Sequence, residues 1–108
     1  MRWSVETLNA TVDAELAALA PDLRARLVRI GSLIEDVGLV RLREPYVRHL
    51  DGPLWEIRLN GKDAIARILY VTVKGRRVII VRVFVKRTQK TPRREIELAL
   101  VRAREVLR

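Results

Sequence analysis

Residues 54–86 read LWEIRLNGKDAIARILYVTVKGRRVIIVRVFVK, and the reading of this stretch decides the fold. It breaks at Asn60-Gly61 and again at Lys74-Gly75-Arg76, both turn signals. The pieces between the breaks carry strand patterns. In LWEIRLN, Leu54, Glu56 and Arg58 fall on one face, and Trp55, Ile57 and Leu59 on the other. AIARILYVTVK is a longer second strand. VIIVRVFVK, residues 78–86, is apolar on both faces except at Arg82, which predicts a central strand under helical cover. Three antiparallel strands in a meander therefore form the heart of the molecule.

Working outward, Trp3, Val5 and Thr7 alternate with more polar neighbours and predict a short first strand. VDAELAALA is helical, and Pro21 either interrupts it or opens the next helix at its first position. In PDLRARLVRIGSLIEDVG, Leu23, Leu27, Ile30 and Ile34 recur at helical spacing, and Gly38 supplies a stop. Gly31 inside this helix costs about 1 kcal/mol relative to Ala, a cost that suggests close packing. Residues 39–53 lack a clean period and carry Pro and Gly, so an ordered loop is expected. After the meander, Thr91 is placed to cap a helix with Pro92 at its first position. Ile96, Ala99, Leu100, Ala103 and Leu107 form its apolar stripe. The expectation is an α+β fold over residues 1–108 as one domain, with two N-terminal helices, a twisted antiparallel sheet and a C-terminal helix.

Composition narrows the function. A chain of 108 residues with a hydrophobic fraction of 49% suits one globular domain. No apolar run is long enough for a membrane helix, and MRWSVETL lacks the build of a secretory signal, so no membrane partner and a cytoplasmic location are expected. With one His and no Cys, neither disulfides nor a structural zinc site is expected, and no cofactor is called for. Charge is the dominant feature: 22 Lys+Arg against 13 Asp+Glu, net +9. From Ala64 to Arg94 there is no acid at all, while the acids gather in the first half. Soluble surfaces usually intersperse their signs, so this segregation points to an anion-binding surface. Arg76, Arg77, Arg82, Lys90, Arg93 and Arg94 are its candidate RNA contacts.

One reaction suits an inventory of arginines and lysines on a sheet with few other chemical groups: cleavage of RNA by its own 2′-hydroxyl. The substrate brings the nucleophile, and the protein has only to move a proton and neutralise charge growing on the phosphate. Arg matches phosphoryl oxygens bidentately and keeps its charge at any working pH. Arg58, Arg67, Lys86 and Arg87 are the candidates, with Glu56, His49, Tyr46 and Tyr70 as the remaining chemical groups. Each has a plainer reading. Arg58 suits a solvent-facing strand position, and Lys86 with Arg87 suits an edge protected against aggregation. Arg67, between Ala66 and Ile68, needs a partner: a salt bridge to Glu56 or a phosphate.

PYVRHLDGPLWEIRLNGKDAIARILYV, followed by VFVKRTQKTPRREIELALVRAREVL, resembles the RelE/HigB superfamily of toxin–antitoxin toxins, and most closely its phage-derived HigB-like branch. The resemblance spans nearly the whole chain, most sharply residues 45–104. It implies an mRNA endonuclease that acts on the ribosome and is blocked by a co-encoded helix-turn-helix, HigA-like antitoxin in a hetero-oligomer. It implies a phosphate-binding role for Arg67, a position for Arg58 beside the 2′-hydroxyl, and a cationic pair at Lys86 and Arg87. Lys90 belongs to the same motif. Glu56 and His49 are the candidates for proton transfer. The last helix lacks the His or Tyr that many members use as general acid. Two other readings follow from the same resemblance: a ParE-like toxin that inhibits gyrase, or an RNA- and ribosome-binding module without catalysis.

Overall fold

The structure, a computed structural model, describes residues 2–39, 47–86 and 90–107. In chain order the elements are β1 (Ser4–Thr7), α1 (Ala10–Ala17), α2 (Pro21–Val37), β2 (Val47–Asp51), β3 (Leu54–Asn60), β4 (Ile65–Val73), β5 (Arg77–Lys86) and α3 (Arg93–Ala103). The strands form one five-stranded sheet in the order β1-β5-β4-β3-β2. β1 runs parallel to β5, and every other pairing is antiparallel. The α+β architecture expected from the sequence is thus present, with its mixed edge at β1.

Period-two alternation on the inner strands gives the sheet two apolar faces, and each is covered. Against one face, Val12 of α1 and Leu23, Leu27 and Ile34 of α2 pack over Ile57, Leu59, Ile68, Tyr70 and Ile80. Against the other, Ile96, Ala99 and Ala103 of α3 pack over Leu69, Val71, Ile79 and Val81. Each aliphatic side chain so buried contributes about 1.5–3 kcal/mol. The helix boundaries follow local chemistry. Asn9 caps α1 by accepting from the Val12 N–H, Pro21 opens α2, and Gly38 ends it at φ 88°. No described helix is long and apolar enough to cross a membrane.

Several expectations need correction. Residues 47–51 are a strand, not loop: β2 pairs with β3 from Val47↔Ile57 onward, and Gly52 at φ 54° permits the turn between them. β5 is an interior strand, but the middle of the sheet is β4. Asn60-Gly61 is not a two-residue hairpin, since Gly61 has no positive φ. The connection runs on to Ala64, closed by a 2.8 Å hydrogen bond from the Gly61 N–H to the Ala64 carbonyl. Glycine is needed there for space, because a Cβ would sit 2.6 Å from Leu23 Cδ2. Gly31, by contrast, has nothing within 4 Å of an added Cβ, so close packing does not explain it. Thr91 does not cap α3, which begins behind Pro92 without a side-chain cap.

β5 outruns its parallel neighbour. The last backbone bond on that side joins the Leu8 N–H to the Ile80 carbonyl at 2.9 Å. Beyond it, side chains replace a strand. Glu15 of α1 accepts from the Val83 N–H at 3.1 Å, and Arg102 of α3 donates to the Val81 carbonyl at 2.9 Å. Unpaired edge groups are a template for another strand, and this pair of side chains occupies them.

Candidate nucleic-acid interface

Register decides which charged residues meet. Across β3, β4 and β5, Asn60 lies opposite Ile65 and Ile65 opposite Lys86; Arg58 opposes Arg67, and Arg67 opposes Phe84. Directly opposed residues share a face. Period two adds Glu56, and its opposite on β2 is Arg48. One face of the sheet, the α3 face, therefore carries Arg48, Glu56, Arg58, Arg67 and Lys86. The core beneath α3 occupies the other end of this face. Four of the sequence-predicted residues are brought together here.

They are not equally accessible. Arg67 and Glu56 are both 0% exposed. Arg67 Nη1 lies 3.2 Å from Glu56 Oε2 and 3.3 Å from Oε1. The Thr91 hydroxyl donates to Glu56 Oε1, tying the chain ahead of α3 to the middle of the sheet. Of the two partners left open for Arg67, the structure shows the salt bridge. Glu56, enclosed and doubly engaged, has no path to a substrate hydroxyl. Arg58 and Lys86 are half-buried and make no ion pair with a described residue.

His49 lies on the opposite face from Glu56, because its register partner is Trp55. Its ring meets the Trp55 ring edge-on at 5.0 Å, and Nε2 sits 2.8 Å from the Gly52 carbonyl. That holds the β2–β3 turn and keeps His49 away from Arg58 and Lys86. Tyr70 is on that face too, buried, and burial pushes its phenol up. Arg87 and Tyr46 lie outside the described residues.

The expected RNA contacts divide. Arg77 forks onto Glu6 at 2.7 and 2.8 Å, and this guanidinium, with the Ser4 hydroxyl, holds the Glu6 carboxyl down at about 2. Arg82 is only 21% exposed and bridges Glu95 at 2.7 Å and Glu15 at 2.8 Å, lowering the Glu95 carboxyl. Arg93 reaches Asp51 at 2.7 Å. All three arginines are engaged in bridges within the fold; Arg82 is largely withdrawn from solvent, while Arg77 and Arg93 stay exposed. Arg76, in the β4–β5 turn at φ 57°, Lys90 and Arg94 are exposed. Sequence reasoning missed Arg48 as a cation on this face, Glu15 and Arg102 as charge partners, and Thr91 as the anchor of Glu56. Only a trial strand register carries a signal for Arg48; the others depend on how helices pack.

A comparison with curated proteins gives no match. Among solved structures, a mutant of the E. coli toxin RelE in the free state superposes with a TM-score of 0.63 at 15% identity, covering 99% of this chain and 100% of that one. The archaeal RelE–RelB complex from Pyrococcus horikoshii OT3 gives 0.59 at 21% identity, covering 83% of this chain and 100% of the other. Identities this low speak for the fold, which is that of RelE. Residues 14–104 match the family described as phage derived protein Gp49-like (DUF891). Since that match takes in both helical layers and the meander between them, the chain belongs to the phage-derived Gp49-like family.

Proposed function

We propose that this chain is the toxin of a type II toxin–antitoxin system, an endoribonuclease that cuts mRNA on the ribosome until its antitoxin blocks it. The supporting observation is the placement of two accessible cations, Arg58 on β3 and Lys86 on β5, on one face and at the same end of the sheet, where the toxin motif resemblance puts the scissile phosphate. In the reaction, the 2′-hydroxyl loses its proton and its oxygen attacks the adjacent phosphorus. The bond to the 5′-oxygen breaks, that oxygen takes up a proton, and a 2′,3′-cyclic phosphate remains. Negative charge grows on the phosphoryl oxygens along the way. Fixed guanidinium and ammonium groups aimed at that charge are typically worth about 3 kcal/mol each, and they make the reading metal-independent. Arg58 and Lys86 carry this role, with Arg87 next in sequence. The buried Arg67–Glu56 pair fixes the strands beneath them and acts as a positioning element.

A second reading is favoured by one feature. Among the described residues, the two strand carboxylates on the face that holds Arg58 and Lys86, Glu56 and Asp51, are both committed to arginines, Arg67 and Arg93. A module that grips ribosomal RNA without cutting fits that feature. Controlled expression with mapping of mRNA 5′ ends, for wild type beside Arg58→Ala and Lys86→Ala, separates the two. Growth arrest with new cuts inside reading frames, reduced about 100-fold or more in either variant, is the result expected of the nuclease. Continued growth without cuts supports the binding module, and arrest without cuts moves the target to a protein such as gyrase.

A further inference from the structure

Two sets stand out among the described arginines. Arg2, Arg67, Arg77, Arg82, Arg93 and Arg102 are all in ion pairs. Arg26, Arg29 and Arg58 make none with a described residue, yet they line one cleft together. The cleft lies between α2 and the end of β3. Its floor is Ile30, Leu33 and the buried Leu59. Leu33 is 41% exposed, a sizeable apolar surface to leave in water beside three cations, of which Arg26 also faces Asp22 one turn earlier on α2. Arg26 and Arg29, three residues apart, are neighbours on the helix surface. The Arg58–Asn60 end of β3 lines this cleft.

We propose that this cleft binds the phosphodiester backbone of single-stranded RNA, as a second anion site continuous with the sheet face. The assignment deepens the nuclease reading and rests on it for the identity of the strand. Continuity is the deciding observation. Arg58 borders the cleft and also opposes Arg67 on the face that carries Lys86, so the accessible cations run from α2 around the end of β3 to the end of β5. A polynucleotide is an anion with repeating charge, long enough to lie along such a line, and its riboses and base edges suit a narrow apolar floor. An acidic amphipathic peptide would fill the cleft itself but has no reason to follow the cations onto the sheet.

The test is fluorescence anisotropy of a labelled single-stranded RNA oligonucleotide with the full chain, across a salt series. Arg26→Glu/Arg29→Glu and the milder Arg26→Gln/Arg29→Gln are compared with Arg104→Glu, an exposed cation at the far end of α3. All three positions are solvent-exposed in wild type, and matched circular dichroism spectra verify the fold. The cleft variants are expected to bind at least about 10-fold more weakly, with the slope of log K on log salt shallower by about 0.7 for each phosphate that is no longer neutralised. Arg104→Glu leaves both unchanged. RNA affinity and slope equal to wild type in the cleft variants overturn the proposal. So does a wild type that fails to bind the oligonucleotide. So does retained RNA binding alongside lost binding of a labelled Glu/Leu-rich helical peptide, which would make the cleft a protein-docking groove. If wild type binds RNA through the cleft but cuts no mRNA in cells, the cleft stands and the nuclease reading falls. If it cuts while the cleft variants bind as wild type does, the reverse holds.

Discussion

At Glu56 a carboxylate with no solvent access meets the Arg67 guanidinium at 3.2 Å and accepts the Thr91 hydroxyl hydrogen bond. Burying two charges is costly, and their attraction repays the cost only while both are present. Arg67→Ala is therefore expected to destabilise the fold by about 3–5 kcal/mol, chiefly by stranding the Glu56 charge. Glu56→Leu combined with Arg67→Met should come within about 1 kcal/mol of wild type or exceed it. Urea denaturation of the single and double variants measures both. A mild effect of Arg67→Ala would show that water or a rearranged side chain reaches Glu56. The point bears on function too, because a loss of toxicity in Arg67→Ala could reflect unfolding alone. Arg58 and Lys86 are the cleaner probes of chemistry.

At the scale of elements, one carboxylate helps to close the edge of β5 beyond β1, and another adds to the docking of β1 itself. Glu15 accepts from the Val83 N–H and from Arg102, and pairs with Arg82. Glu15→Ala should cost about 1–3 kcal/mol and leave the β5 edge open to a second strand. Sedimentation velocity should then show a mass that rises with concentration beyond that of wild type, while Glu15→Gln, which keeps an acceptor for Val83, should stay close to wild type. Identical sedimentation of the Ala variant and wild type would mean that α1 itself shields the edge. Glu6 links β1 to β5 through Arg77, and its carboxyl sits at about 2 against an ordinary 4.5. A depressed acid stabilises the fold above its unfolded value and loses that contribution as pH falls through the folded one. The Tm gap between wild type and Glu6→Gln should thus be full above about pH 5 and close between about 4.5 and 2. Both groups are more than a third exposed, so the gap will be small, and thermal melts across pH read it. β2 shows what sequence patterning can miss at this scale. Its five residues, VRHLD, carry no clear alternation, and their pairing with β3 makes them a strand. The meander and α2 were legible because their apolar periodicities bury whole faces.

Across the whole molecule, the charges that segregate along the chain are mixed again by folding. Glu6 meets Arg77 at a separation of 71 residues, and Glu15 meets Arg102 at 87. No pattern in the sequence announces such pairs, since they follow from the packing of α1 and α3 against β5. The run from Ala64 to Arg94 is free of acid in sequence but not in space, because acids from both ends of the chain fold onto Arg77 and Arg82. The candidate site was legible as far as Arg58, Arg67, Lys86 and their possible link to Glu56. Which of these reach solvent depends on layers that one strand's pattern does not contain. The net charge of +9 survives this mixing, and it sets two opposing responses to salt. Screening relieves repulsion among like charges in the compact state, while it weakens exposed bridges worth only about 0–1 kcal/mol each. With so large an excess of one sign, relief should win, so Tm should rise between about 50 and about 500 mM NaCl while RNA affinity falls steeply over the same range. Differential scanning calorimetry paired with RNA titrations reads both curves. A Tm that falls in step with RNA affinity would instead mean that the cross-fold bridges, and not the surplus cations, dominate the electrostatics of the fold.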